Sequence, residues 1–143
     1  MVTGCTGYVA NFIIIELAKK YPMLEIIGMS RQGKARTPEI MHRYHNVSYV
    51  KGNCLEPSTY KDLVQDVDGC IHTVGTLIDN KKKPHLSYSA MNRDTAIFTA
   101  KELNLSASPD KKKTFVYLSS AKPPPFLEEY ITSKIEAEQY LFN

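Results

Sequence analysis

The chain is predicted to form an α/β domain built on a doubly wound parallel sheet of about five strands, and three observations predict it. Gly4-Cys5-Thr6-Gly7-Tyr8-Val9-Ala10 is a glycine-punctuated turn between an apolar stub and a helical pattern. A short apolar run, Glu25-Ile26-Ile27-Gly28-Met29-Ser30, follows that helix, so strand, turn, helix and strand occur in the order a βαβ unit requires. Three further strand-like runs then alternate with helical patterns as far as the C-terminal segment, and no internal repeat or second domain is visible.

The 143 residues are one domain's worth of chain, with 43% hydrophobic and 23% charged residues and a net charge of +3. That charge is too small to imply a nucleic-acid partner, and the runs Lys81-Lys82-Lys83 and Lys111-Lys112-Lys113 read as solvated loop charge. Cys5, Cys54 and Cys70 are odd in number and form no C-x-x-C pair, so neither a disulfide framework nor a metal site is expected. His42, His45 and His85 lie in polar contexts away from any metal-ligand spacing. The sequence offers no apolar stretch long enough to span a membrane and no targeting segment. Only Met1, Val2 and Thr3 precede the first glycine, so the first strand is expected to be clipped.

The glycine turn is expected to cradle a nucleotide. Gly4 lets the chain leave a strand at torsions closed to other residues, Gly7 admits a pyrophosphate to the backbone, and Ala10 lets the helix lie close to the sheet. Thr6 and Tyr8 flank that cradle, and the unpaired N–H groups of the first helical turn would face the phosphates.

The helix runs from Val9 to Tyr21, with Val9, Phe12, Ile13 and Leu17 on the expected core face and Pro22 as its stop. Strand two ends in Ser30-Arg31-Gln32-Gly33-Lys34. An acid there would hold ribose hydroxyls; Arg31, with Lys34 and Arg36 nearby, suits the 2′-phosphate of NADP(H), because a guanidinium offers a planar fork of donors.

Asn46 to Gly52 alternates as strand three, and Pro57 opens a helix with Tyr60, Leu63, Val64 and Val67 on one face. Cys70 to Gly75 is strand four, within which His72 reads as a core histidine with a satisfied ring. Val74 and Gly75 close it where backbone can pass near a cofactor. A helix over Ser87 to Leu103 carries Ala96, Ala100 and Leu103 on one face, with Asn92 one turn before Ala96. Thr114 to Leu118 is strand five and runs into Ser119-Ser120 and Pro123-Pro124-Pro125. The last helix begins near Glu128, with Ile131, Ile135 and Phe142 expected toward the core.

On that helix Tyr130 and Lys134 are four residues apart and share a face. An ammonium beside a phenol favours the phenolate, which would let Tyr130 exchange a proton with a carbonyl or alcohol, while Ser120 at a strand end could bond the same oxygen.

Taken in order, T-G-x-x-G-x-x-A (Thr3 to Ala10), Ser30-Arg31, Gly52-Asn53, Ile71 to Gly75, Asn92, Ser119-Ser120 and Tyr130-x-x-x-Lys134 resemble the extended and atypical short-chain dehydrogenase/reductases. Ser30 to Ala35, Ile71 to Asn80, Met91-Asn92 and Tyr130 to Glu138 look most like that family's mitochondrial branch, which includes a dehydrogenase-like protein linked to coenzyme Q (ubiquinone) biosynthesis and the NADPH-binding accessory subunit of respiratory complex I. The resemblance spans essentially the whole chain and implies a Rossmann-type domain of strand order 3-2-1-4-5. By the same resemblance, Gly4, Gly7, Ala10 and Asn92 belong to the cofactor cradle, Arg31 takes the 2′-phosphate, Asn53 and Cys54 the adenine, and Val74 and Gly75 the nicotinamide side. Tyr130 would be the acid/base, Lys134 the ribose anchor and Ser120 the oxygen holder.

The sequence departs from the family pattern at three places. Asn53 stands where an Asp is usual, the Ser120-to-Tyr130 spacing is short and proline-filled, and neither a sixth strand nor a small substrate domain follows. The expectation is therefore an NADP(H)-binding domain, truncated before its substrate domain, with protein partners in a mitochondrial, matrix-side assembly. An active NADP-dependent oxidoreductase and a structural module without nucleotide are the alternatives.

Overall fold

In the computed structural model all residues are described except 38, 40, 41, 121–126 and 143. The proline-rich connection at 123–125 therefore lies outside the described residues. Five parallel strands, β1 (Val2–Thr3), β2 (Ile26–Ser30), β3 (Val47–Lys51), β4 (Gly69–His72) and β5 (Thr114–Tyr117), form one sheet in the order β3-β2-β1-β4-β5. That is the order the resemblance implies. Val2 of the central strand pairs with Gly28 on one side and Ile71 on the other, so the chain reverses its direction of winding at β1.

Strand alternation sends side chains to two separate cores. Val2, Cys5 and Ile26 pack with Ala10, Ile14 and Ala18 of α1 (Tyr8–Lys20), whereas Met29 and Cys70 pack with Tyr60, Val64, Val67 and Leu103 on the opposite face. The last of these comes from α3 (Thr95–Leu105), and Val64 from the short α2 (Leu63–Asp66).

Several sequence-based expectations need correction. The buried face of α1 is Ala10, Asn11, Ile14 and Ala18, while Val9 and Phe12 are about half exposed. Phe12 to Ile15 is apolar in every direction, so spacing alone does not fix the face; Ala10 and Ala18 decide it by letting the helix approach the sheet closely. The helix expected after Pro57 is split into a 3₁₀ turn (Pro57–Thr59) and α2. The helix expected from Ser87 starts instead as a π-helical turn (Ser89–Asp94) before α3. Strand four stops at His72, which leaves Thr73 to Gly75 outside the sheet. In α4 (Glu128–Phe142) the buried residues are Ser133, Lys134 and Ala137, whereas Ile135 and Phe142 face outward. Polar side chains take the inner face because hydrogen-bond partners await them there.

β5 lies at the edge of the sheet, with Val116 and Leu118 exposed beside it. Among the described residues no helix is long and apolar enough to cross a membrane.

Candidate nucleotide site

A groove of about 560 Å³ runs across the C-terminal ends of the strands, where the loops after β1, β2, β3 and β4 converge. Gly4, Thr6, Gly7, Arg31, Asn53, Cys54, Val74 and Gly75, the residues that the sequence reading assigns to a cofactor, all line it. Gly4 has φ of +72°, and a Cβ there would lie 3.1 Å from Thr73 Oγ1, so both torsion and space require glycine. The Gly7 N–H donates to Gly4 O at 2.7 Å and closes the turn. Gly7 then caps α1 without any side-chain bond, so the first intrahelical donor is Asn11 and the N–H groups of the first turn keep their capacity for a ligand. This fits a pyrophosphate: open donors, the positive end of a helix dipole and no side chain over the approach.

The rim on the β2 side carries Arg31, exposed and without an ion-pair partner among the described residues. The Gly33 N–H holds its turn by donating to Ser30 O and Oγ. Arg36 reaches back instead to the glycine turn, donating from Nη1 to Thr6 O at 3.1 Å and lying over the Tyr8 ring. Tyr8 itself is largely exposed, packed at a tilt against the Phe12 ring, and stands outside the groove lining.

Asn53 is already committed. Its Oδ1 accepts from Leu55 N, and its Nδ2 donates to Glu56 Oε1 at 2.8 Å. Glu56 thereby lines the groove beside it, a contact foreshadowed in the sequence only by the Asn-x-x-Glu spacing. The Cys54 thiol, buried nearby, is pushed up to about 11 by its burial, so it stays protonated. His85 and Met91 also line the groove, and the sequence reading gave neither a role.

The remaining predicted residues sit beyond the β4 side of the groove, where Lys134 and Asn92 belong to a closed polar network. Lys134 is 6% exposed; its ammonium donates to Leu118 O at 2.9 Å and lies 5.8 Å from the Tyr130 ring centre, so the two do share a face. Burial lowers the Lys134 pKa. Tyr130 packs edge-on against Tyr88, and Ser120 lies just past β5, next to Ser119, which bonds Glu138. Asn92 is fully buried: its Oδ1 accepts from Thr76 N, and its Nδ2 donates to Thr76 O and Ser133 Oγ. It does not line the groove but pins the loop after β4 to α4. A Cβ on Gly75 would come within 3.0 Å of Asn92 Oδ1 and 3.9 Å of Lys134 Nζ, so this network begins where the groove ends.

His72 is a satisfied core residue. Thr95 Oγ1 donates to Met91 O, so it accepts from the Nε2–H of His72 at 3.2 Å, and Thr3 Oγ1 donates to Nδ1 at 3.0 Å. Complete burial, with Lys134 nearby, drives its pKa down to about 3 and keeps the ring neutral.

A larger cleft of about 880 Å³ lies between α3, α4 and the start of β5, lined by residues such as Leu105, Lys113 and Tyr140. It lies by the N-terminal end of β5 rather than at the C-terminal ends of the strands, where the loops converge, so the smaller groove is the better candidate.

Sheet order, glycine turn and the groove at the strand ends together define a Rossmann domain of the short-chain dehydrogenase type. Residues 1–143 match the model of the NAD dependent epimerase/dehydratase family, and the chain belongs to that family. It is similar to MIOREX complex component 2 of Saccharomyces cerevisiae, 24% identical over 96% of this chain and 64% of the yeast protein. Among solved structures it is similar to the Bordetella bronchiseptica enzyme WbmH in complex with NAD+, with a TM-score of 0.73 and 19% identity over 99% of this chain and 50% of WbmH. Serine dehydrogenase from Escherichia coli superposes with a TM-score of 0.75 at 12% identity, over 99% of this chain and 72% of that one. The chain thus spans about half the length of WbmH and less than two thirds of the yeast relative.

Proposed function

We propose that the chain binds NADP(H) in the strand-end groove and serves as an accessory, nucleotide-stabilised domain of a mitochondrial assembly. Arg31 is the observation that carries the cofactor choice: it stands on the groove rim at the end of β2, where an acid would select a free ribose hydroxyl. No carboxylate lies within ion-pair distance of it among the described residues, so a 2′-phosphate is a matching ligand. Gly4, Gly7 and the first turn of α1 would hold the pyrophosphate, with Asn53 and Glu56 toward the base and Gly75 with Lys134 toward the second ribose. The cofactor would supply a hydride donor or acceptor if the site turns over; without turnover it adds stability by mass action.

The accessory role is supported by resemblance to the mitochondrial branch and by similarity to a yeast protein named as a complex component. A second reading, an NADP-dependent oxidoreductase working on a carbonyl or quinone-related substrate through Tyr130, Lys134 and Ser120, is favoured by the Lys134 ammonium beside the Tyr130 ring. NADPH oxidation with a quinone analogue, lost in Tyr130→Phe, would establish that reading over the first.

The test of the cofactor choice is a calorimetric titration of NADPH and NADH into wild type and Arg31→Ala. Wild type should prefer NADPH, and the variant should lose about 1.5 to 3 kcal/mol for NADPH with NADH little changed. Equal affinities in the wild type would refute it.

A further inference from the structure

We propose that Tyr117 is a positioning residue for Lys134, its hydroxyl bridging the Asn92 backbone carbonyl to the ammonium while its ring carries part of the charge. The functional meaning rests on the nucleotide reading above, because Lys134 is there the group at the second ribose; the contacts themselves do not.

Alternation along β5 sets the geometry. Phe115 and Tyr117 point inward, against the His72 ring, while Val116 and Leu118 point outward. Tyr117 Oη donates to Asn92 O at 2.9 Å, which turns its lone pairs toward Lys134 Nζ at 3.4 Å. The same ammonium lies 4.8 Å from the Tyr117 ring centre, nearer than the Tyr130 ring at 5.8 Å. A lysine that is 6% exposed has surrendered most of its hydration, and here carbonyl, hydroxyl and ring replace it.

The other end of the bridge is equally fixed. Asn92 sits in the π-helical turn, and its side chain holds Thr76 and Ser133 while its carbonyl takes the Tyr117 proton. One residue therefore ties the loop after β4, α4 and β5 together around Lys134. The titratable groups that face Lys134 are His72 on β4, neutral, Tyr117 on β5, and Tyr130 and Glu138 on α4; the carboxylate of Glu138, one turn along, favours the charged ammonium. Burial also raises the Tyr117 pKa, so its hydroxyl remains a donor to Asn92 O.

The experiment is a ¹³Cε-lysine NMR titration of the nucleotide-free chain, with Lys134 assigned from a Lys134→Arg spectrum. Tyr117→Phe removes the bridging hydroxyl and keeps the ring; Tyr117→Met removes both at similar volume. The Lys134 midpoint should fall by about 0.5 pH unit or more in Tyr117→Phe and further in Tyr117→Met. A midpoint unchanged or raised in Tyr117→Phe overturns the proposal, and that variant decides alone if Tyr117→Met does not fold. NADPH affinity is measured in parallel and should weaken about threefold or more in Tyr117→Phe. If wild type binds no NADPH while the midpoints fall as stated, the nucleotide reading fails and the positioning role stands.

Discussion

The two sides of the strand-end surface are built on opposite terms. On the β1–β3 side, the glycine turn, the first turn of α1 and Arg31 present donors and charge that the described residues leave to a ligand. On the β4–β5 side, Asn92 bonds Ser133 and Tyr117, Tyr117 bonds Lys134, and the His72 ring beside them is satisfied by Thr3 and Thr95. A binding surface needs open valences, whereas a positioning network needs closed ones, because each unpaired buried group costs free energy. The large losses of binding should therefore come from the open side and the large losses of fold stability from the closed side, and the variants below separate the two.

The largest effect is expected at Gly7. A Cβ there lies 3.0 Å from Gly4 O and on the floor of the groove, so Gly7→Val should weaken nucleotide binding more than 100-fold, about 2.7 kcal/mol. Its far-UV circular dichroism should stay that of wild type, and a variant that still binds within about threefold would place the cradle elsewhere.

Across the sheet the reverse is expected. Asn92→Ala strands the Thr76 N–H and C=O and releases Ser133, and should cost about 2 to 2.5 kcal/mol in urea unfolding. A loss below about 0.5 kcal/mol would mean that water replaces the amide at no cost.

A smaller effect, read through pH, belongs to His72. Its folded-state pKa of about 3 lies below the unfolded 6.5, so the unfolded chain binds the extra proton. The stability His72 supplies is present above about pH 6.5 and is lost as pH falls toward 3. Between pH 7 and pH 5 the advantage of wild type over His72→Gln should shrink by about 2 kcal/mol. A gap that does not change with pH would show that the ring titrates in the fold as it does in the unfolded chain, and a gap that widens at pH 5 would show that it is charged there.

The open side is more legible in the sequence than the network side. Gly4, Gly7 and Arg31 are legible because glycine at a strand end and a cation in place of an acid each have a local physical reading. Strand order came with the family resemblance, and the alternation of short apolar runs with helices, which leaves few ways to wind a parallel sheet, agrees with it. On the closed side only the shared face of Tyr130 and Lys134 and the satisfied His72 ring were legible, because the rest of its logic is long-range: the Asn92 amide meets a loop and a helix far apart in the chain, and Tyr117 looks in sequence like any strand aromatic. Ile135 and Phe142 misled for the same reason, because an apolar residue declares no partner and α4 buries Ser133 and Lys134 in their place.

The central claim, that the open side is a nucleotide site, is tested most directly by mapping backbone amide shifts while NADPH is added to the ¹⁵N-labelled chain. The largest shifts should fall on Gly7 to Ala10, Arg31 to Gly33 and Asn53 to Glu56, with little change around Leu105 and Tyr140 in the larger cleft. Shifts concentrated in that cleft, or none at millimolar NADPH, would contradict it.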